Sequence, residues 1–172
     1  MAFFNKKVKV ITPAVALADL QAWCAKCERA ESQVVKKLKQ WEVATGDAEQ
    51  IIQCLIDDNF LNEERFIRAF IRDKFEFNKW GRAKIKFEIQ QVTKQKTLVA
   101  QVLEQYLTDD LYKNTLKRIA RYKYTQLARK ETDSYAIKRK MAQYLMSKGF
   151  ESELIWPIVE AVLLEGDDPE DL

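Results

Sequence analysis

The sequence predicts an all-α protein built from three tandem three-helix repeats, the last one truncated. Three observations predict it. A paired apolar pattern returns three times, as Val34/Leu38, Ile85/Ile89 and Met141/Leu145, each pair one helical turn apart. After a short break each pair is followed by a second apolar stripe: Ile51/Ile52/Leu55, then Leu98/Val99/Val102, then Leu154/Ile155/Ile158. The equivalent Leu38, Ile89 and Leu145 stand 51 and 56 residues apart, the length of a stacked supersecondary unit. Composition agrees. The 172 residues include 4 Gly and 3 Pro, too few for turn-rich β structure, and the 47% apolar content suffices for a core.

Taken in order, residues 1–13 read as an extended lead-in ending at Pro13. A helix from about Ala14 to Ala30 completes an N-terminal segment, 1–30. Repeat one covers 31–77. It opens with a helix over Ser32–Gln40 that Ser32 is placed to cap, and Asp47 is placed to cap the second. Asn62 before Glu63-Glu64 is an N-cap with acids in the first turn, and that helix reaches Glu76. Repeat two, 78–131, follows the break at Phe77–Gly81, with helices at about Arg82–Gln91, Thr97–Tyr106 and Thr108–Lys130, the last kinked or frayed near Tyr124. Repeat three, 132–164, holds helices over Tyr135–Ser147 and Glu151–Leu164. Gly149 is a left-handed cap for the first, and Pro157 falls in the opening turns of the second. Residues 165–172 form an acidic tail.

Charge is distributed unevenly. The net value is +3, yet residues 65–148 carry 21 bases against 8 acids, and no Lys or Arg follows Lys148. A field concentrated in this way attracts polyanions. Its sharpest expressions are rows at helical spacing: Arg65, Arg68 and Arg72, then Lys113, Lys117 and Arg121, with Arg118 beside them. Lys79, Arg82, Lys84 and Lys86 surround Trp80, and Lys138, Arg139 and Lys140 are consecutive. Such rows suit phosphate backbones or nucleoprotein surfaces; the plainer reading is a solvated helix face. Trp80 is either a core anchor or a partner contact.

Catalytic chemistry finds little support. No His is present, so Ser-His and Cys-His pairs are excluded, and the four glycines are too dispersed for a phosphate-cradling loop. Cys24-x-x-Cys27 has Cys54 as its one further thiol, short of a zinc site and consistent with a reducing compartment. The acid pairs Asp57-Asp58, Glu63-Glu64 and Asp109-Asp110 lie near expected helix starts, where acids are electrostatically favoured. No catalytic, metal or cofactor-binding residue is assigned. No apolar run reaches a membrane span, and the chain reads as soluble and cytoplasmic.

Four segments share order and spacing with one family. They are Arg29-x-x-Ser32 leading into Val35-Lys36-Lys37-Leu38, Leu61-Asn62-Glu63-Glu64-Arg65-Phe66, Trp80-Gly81-x-x-Lys84-Ile85-x-x-x-Ile89, and Tyr144-Leu145-x-x-Lys148-Gly149-Phe150. Together they resemble the RecX regulators of the RecA recombinase over roughly residues 14–163. Asn62 and Glu63 depart from the two acids of the family's marker, Ile67 from its Ala, and Trp41-Glu42 stand where the first repeat often has Gly-Phe. The resemblance implies an elongated, curved array and a monomer without cofactor. It implies a non-enzymatic regulator of recombination, DNA repair and the SOS response that binds RecA and its filament on single-stranded DNA, and bare DNA weakly. There it would limit filament growth, ATP hydrolysis and strand exchange. It also implies that Phe66 is core and Arg65 surface or capping. The alternative is an independent DNA-binding protein of helix-turn-helix-like units.

Overall fold

In a computed structural model the described residues, 11–166, form nine helices: α1 Pro13–Cys24, α2 Glu31–Gln40, α3 Thr45–Asp57, α4 Glu63–Glu76, α5 Arg82–Ile89, α6 Lys96–Tyr106, α7 Asp109–Ala128, α8 Ser134–Ser147 and α9 Ser152–Glu165. No strand occurs among them. None of these helices is long and apolar enough to cross a membrane. The recurring pairs behave as their spacing requires. Val34, Leu38, Ile85, Ile89, Met141 and Leu145 are each at most 1% exposed. Of the second stripes, Ile51/Leu55, Val99/Val102 and Ile155 are buried, whereas Ile52, Leu98, Leu154 and Ile158 are only partly so; the inward face of α9 runs from Ile155 through Val159 and Val162 instead.

Two compact units are present among the described residues, 11–69 with 91–94, and 70–90 with 95–166. In the first, α3 packs on α1 and α2. Ala16, Leu20 and Cys24 of α1 share one core with Val34, Leu38, Ile51, Leu55 and Leu61. Helix α1 starts at Pro13 itself, capped by Thr12, and ends at Cys24 instead of Ala30, because residues 25–30 leave the helix to lead into α2. Ser32 is not the cap of α2. That place falls to Ala30, whose N–H donates to Gln33 Oε1 at 3.1 Å, while Ser32 Oγ donates to the Val92 carbonyl. Likewise α3 is preceded by Ala44, with Asp47 inside its first turn.

In the second unit, α7, α8 and α9 pack against one another and α5 packs on α6. Helix α7 runs unbroken past Tyr124. Pro157 lies within α9 and not in its opening turn. At the end of α8, Gly149 takes φ +86°, with Gly149 N–H on the Met146 carbonyl and Phe150 N–H on that of Leu145. This is the paired bonding of a glycine-terminated helix. The acidic tail expected over 165–172 lies outside the described residues beyond Gly166.

Candidate nucleic-acid interface

The basic rows of the sequence divide, in three dimensions, into cations that face carboxylates and cations that do not. On α4, Asn62 Oδ1 accepts from the Arg65 N–H at 3.0 Å, as the marker segment predicts. The Arg65 side chain turns back to Glu28 (3.0 Å) and to the Asn59 side chain and carbonyl. It holds the Asn59 turn, whose φ is +59°, and so acts within the fold. Phe66 is buried. Arg68 pairs with Glu64 one turn away, and Arg72 lies 3.5 Å from Asp73.

Arg82 belongs to a buried network. Tyr112, wholly inaccessible, stacks on Phe75 at 5.9 Å and meets Phe150 at 5.3 Å. Its hydroxyl accepts from the Arg82 N–H at 2.9 Å and donates to Glu151 at 2.7 Å. Burial first, and Glu151 beside it, push this phenol far above its ordinary pKa. The Arg82 guanidinium covers the Tyr112 ring at 4.1 Å and bonds Asp109 and the Leu107 carbonyl. A cleft of about 620 Å³ beside it is lined by Arg82, Lys86, Glu104, Asp109 and Glu151. Its mixed signs do not define an anion site.

Along α7, Lys117 and Arg121 both reach Glu165 at the end of α9, at 2.8 and 2.7 Å. Hydrogen bonds from Lys117, then Arg121, hold that carboxyl below its usual range. Lys138 pairs with Glu160 and Lys140 with Glu131. Lys86, Lys113, Arg118 and Arg139 are exposed and face no carboxylate among the described residues.

A different arrangement surrounds the break before α5. Lys74 lies over the rings of Phe70 and Trp80, and Lys84 lies over Trp80 at 5.0 Å. Lys84 Nζ donates to the Ser147 carbonyl and Lys148 Nζ to that of Asn78, at 3.2 and 3.1 Å. Lys148 and Lys123 share the ring of Tyr144, at 5.6 and 4.7 Å. Lys79, with φ +56°, bonds the Glu76 carbonyl. Trp80 is half-buried, between the two roles its sequence context left open. Lys74, Lys123, Tyr144 and Lys148 are not among the binding residues expected from the sequence, although Tyr144 and Lys148 stand in the fourth family segment, because they belong to no row of cations on one helix face. The aromatic beside a lysine four residues on, in Phe70/Lys74 and Tyr144/Lys148, was the available signal.

Residues 62–91 match the family described as "RecX, second three-helix domain", and residues 111–159 match "RecX, third three-helix domain". A protein of Clostridium beijerinckii named regulatory protein RecX is 30% identical over 141 residues, covering 80% of this chain and 63% of that one. Its namesake in Clostridium acetobutylicum is 24% identical over 140 residues, covering 81% and 64%. The chain thus spans just under two thirds of the length of these relatives. Among solved structures, RecX from Lactobacillus salivarius superimposes with a TM-score of 0.75 at 19% identity, over 88% of this chain and 97% of that one. That likeness bears on the fold.

Proposed function

Because the chain belongs to the RecX family of regulatory proteins, we propose that it regulates RecA. In this reading it binds the filament that RecA forms on single-stranded DNA and limits its growth, its ATP hydrolysis and strand exchange. The observation that carries the proposal is the match to two of the family's three-helix domains, in order. The charge of residues 65–148, 21 bases against 8 acids, supports a polyanionic nucleoprotein as partner. The proposed action is binding without chemistry, in the cytoplasm and as a monomer.

The experiment is a titration of the protein into RecA hydrolysing ATP on single-stranded DNA. Substoichiometric protein is expected to slow hydrolysis while leaving the DNA intact. An unchanged rate at protein in excess over RecA refutes the proposal and leaves independent DNA binding as the reading to pursue.

A further inference from the structure

Several arginines and lysines in this structure face a carboxylate. Lys74, Lys84, Lys123 and Lys148 are held in another way. None has a carboxylate within ion-pair distance among the described residues; each lies over an aromatic ring. A ring attracts an ammonium through its quadrupole but carries no net charge, so the positive charge is not cancelled. The four lysines, Trp80 and Tyr144 are all partly buried and partly open to solvent.

Backbone contacts make these groups one surface. The Gly81 N–H donates to the Lys148 carbonyl at 2.8 Å. A Cβ on Gly81 would lie 2.2 Å from the Gly149 oxygen, and one on Gly149 would lie 2.3 Å from Lys84 Cβ. Two glycines thus bring the start of α5 against the end of α8. The Lys84–Ser147 and Lys148–Asn78 bonds tie the Trp80 side to the Tyr144 side.

We propose that Lys74, Trp80, Lys84, Lys148, Tyr144 and Lys123 form a strip that binds single-stranded nucleic acid, bases stacking on the two rings and amines moving from ring faces to the flanking phosphates. This deepens the reading above and rests on it for its setting. Alternating flat rings and cations match a strand whose bases are unpaired and whose phosphates repeat between them. A duplex hides its base faces, and an acidic peptide brings carboxylates without flat groups for the rings. Both fit the strip less well.

The test measures binding of a fluorescently labelled oligothymidylate to the full chain, without RecA. Trp80→Leu and Tyr144→Leu are each expected to weaken binding about tenfold, the order of magnitude that one base stacked on a ring supplies. Restoring a ring with Tyr144→Phe is expected to recover it. Lys123→Gln with Lys148→Gln should reduce the salt dependence, by about 0.7 in log–log slope for each phosphate no longer neutralised. Tyr144→Leu decides if the tryptophan variant loses its helical circular dichroism. Folded ring variants that bind like the native chain overturn the strip, as does native binding to duplex that equals binding to single strands. Loss of RecA inhibition in the ring variants without any oligonucleotide binding by the native chain makes this a protein-docking surface and overturns the assignment too. Native oligonucleotide binding that needs the rings, alongside an unaffected RecA ATPase, supports the strip and refutes only the proposed partner.

Discussion

At the scale of single residues, Gly149 has two independent reasons to be glycine. Its φ of +86° is a conformation that a Cβ disfavours, and that Cβ would strike Lys84 Cβ at 2.3 Å. The obstacle is a backbone-anchored carbon and not the free end of a side chain, so relaxation must move α5 or the end of α8. Gly149→Ala is therefore expected to cost about 2–4 kcal/mol, combining left-handed strain with overpacking. Chemical denaturation measures it. A loss under about 0.5 kcal/mol, the scatter of ordinary surface changes, would mean that the two segments separate without strain. Arg65 shows the opposite economy of space: one guanidinium satisfies Glu28 and both oxygens of Asn59. Its place in the marker segment follows from holding a turn.

At the scale of elements, the helix ends show how alike the repeats are. Helix α2 stops with the same bonding as α8: Glu42 N–H reaches the Lys39 carbonyl and Val43 N–H that of Leu38. Glu42 therefore stands where Gly149 stands, with φ +55°. Because Glu42 carries a Cβ into a left-handed conformation, Glu42→Gly is expected to stabilise the protein by about 0.5–1 kcal/mol, visible as a raised denaturation midpoint. A lowered midpoint would show that the Glu42 side chain contributes more than its backbone costs. The periodic pattern makes such helices legible, since all six paired positions at helical spacing lie in the core. Caps are less so. Thr12 and Asn62 act as their types suggest, whereas Ser32 lies inside α2 and bonds Val92, 60 residues away along the chain.

Over the molecule as a whole, the large positive excess of residues 65–148 meets the acid-rich end of the chain at Glu165, which faces Lys117 and Arg121. One carboxylate facing two cations leaves a net positive charge there but reduces its field. The Glu165 carboxyl titrates below the ordinary range. Its pairing is thus fully present above the free-carboxylate pKa and disappears as pH falls through the lowered value. Carboxyl chemical shifts should show a Glu165 midpoint below the roughly 4.3 of a free glutamate. Glu165→Gln should tighten binding to a bare polyanion such as heparin, read as elution at higher salt. Unchanged elution would mean that Lys117 and Arg121 do not face the polyanion.

The sequence by itself determined the helical class, the recurring inward pairs, the Asn62 cap and the left-handed glycine after α8. These depend on local periodicity and on the conformational range of single residues, which neighbours along the chain suffice to express. Outside the within-helix pairs Arg68/Glu64, Phe70/Lys74 and Tyr144/Lys148, only the tertiary structure decided which cations face carboxylates and which lie over rings. Glu28 and Arg65 are 37 residues apart, Lys117 and Glu165 48, and Lys84 and Ser147 63. A helical row specifies the face a charge occupies. The field it projects depends on what packs opposite, and that is settled when distant segments meet.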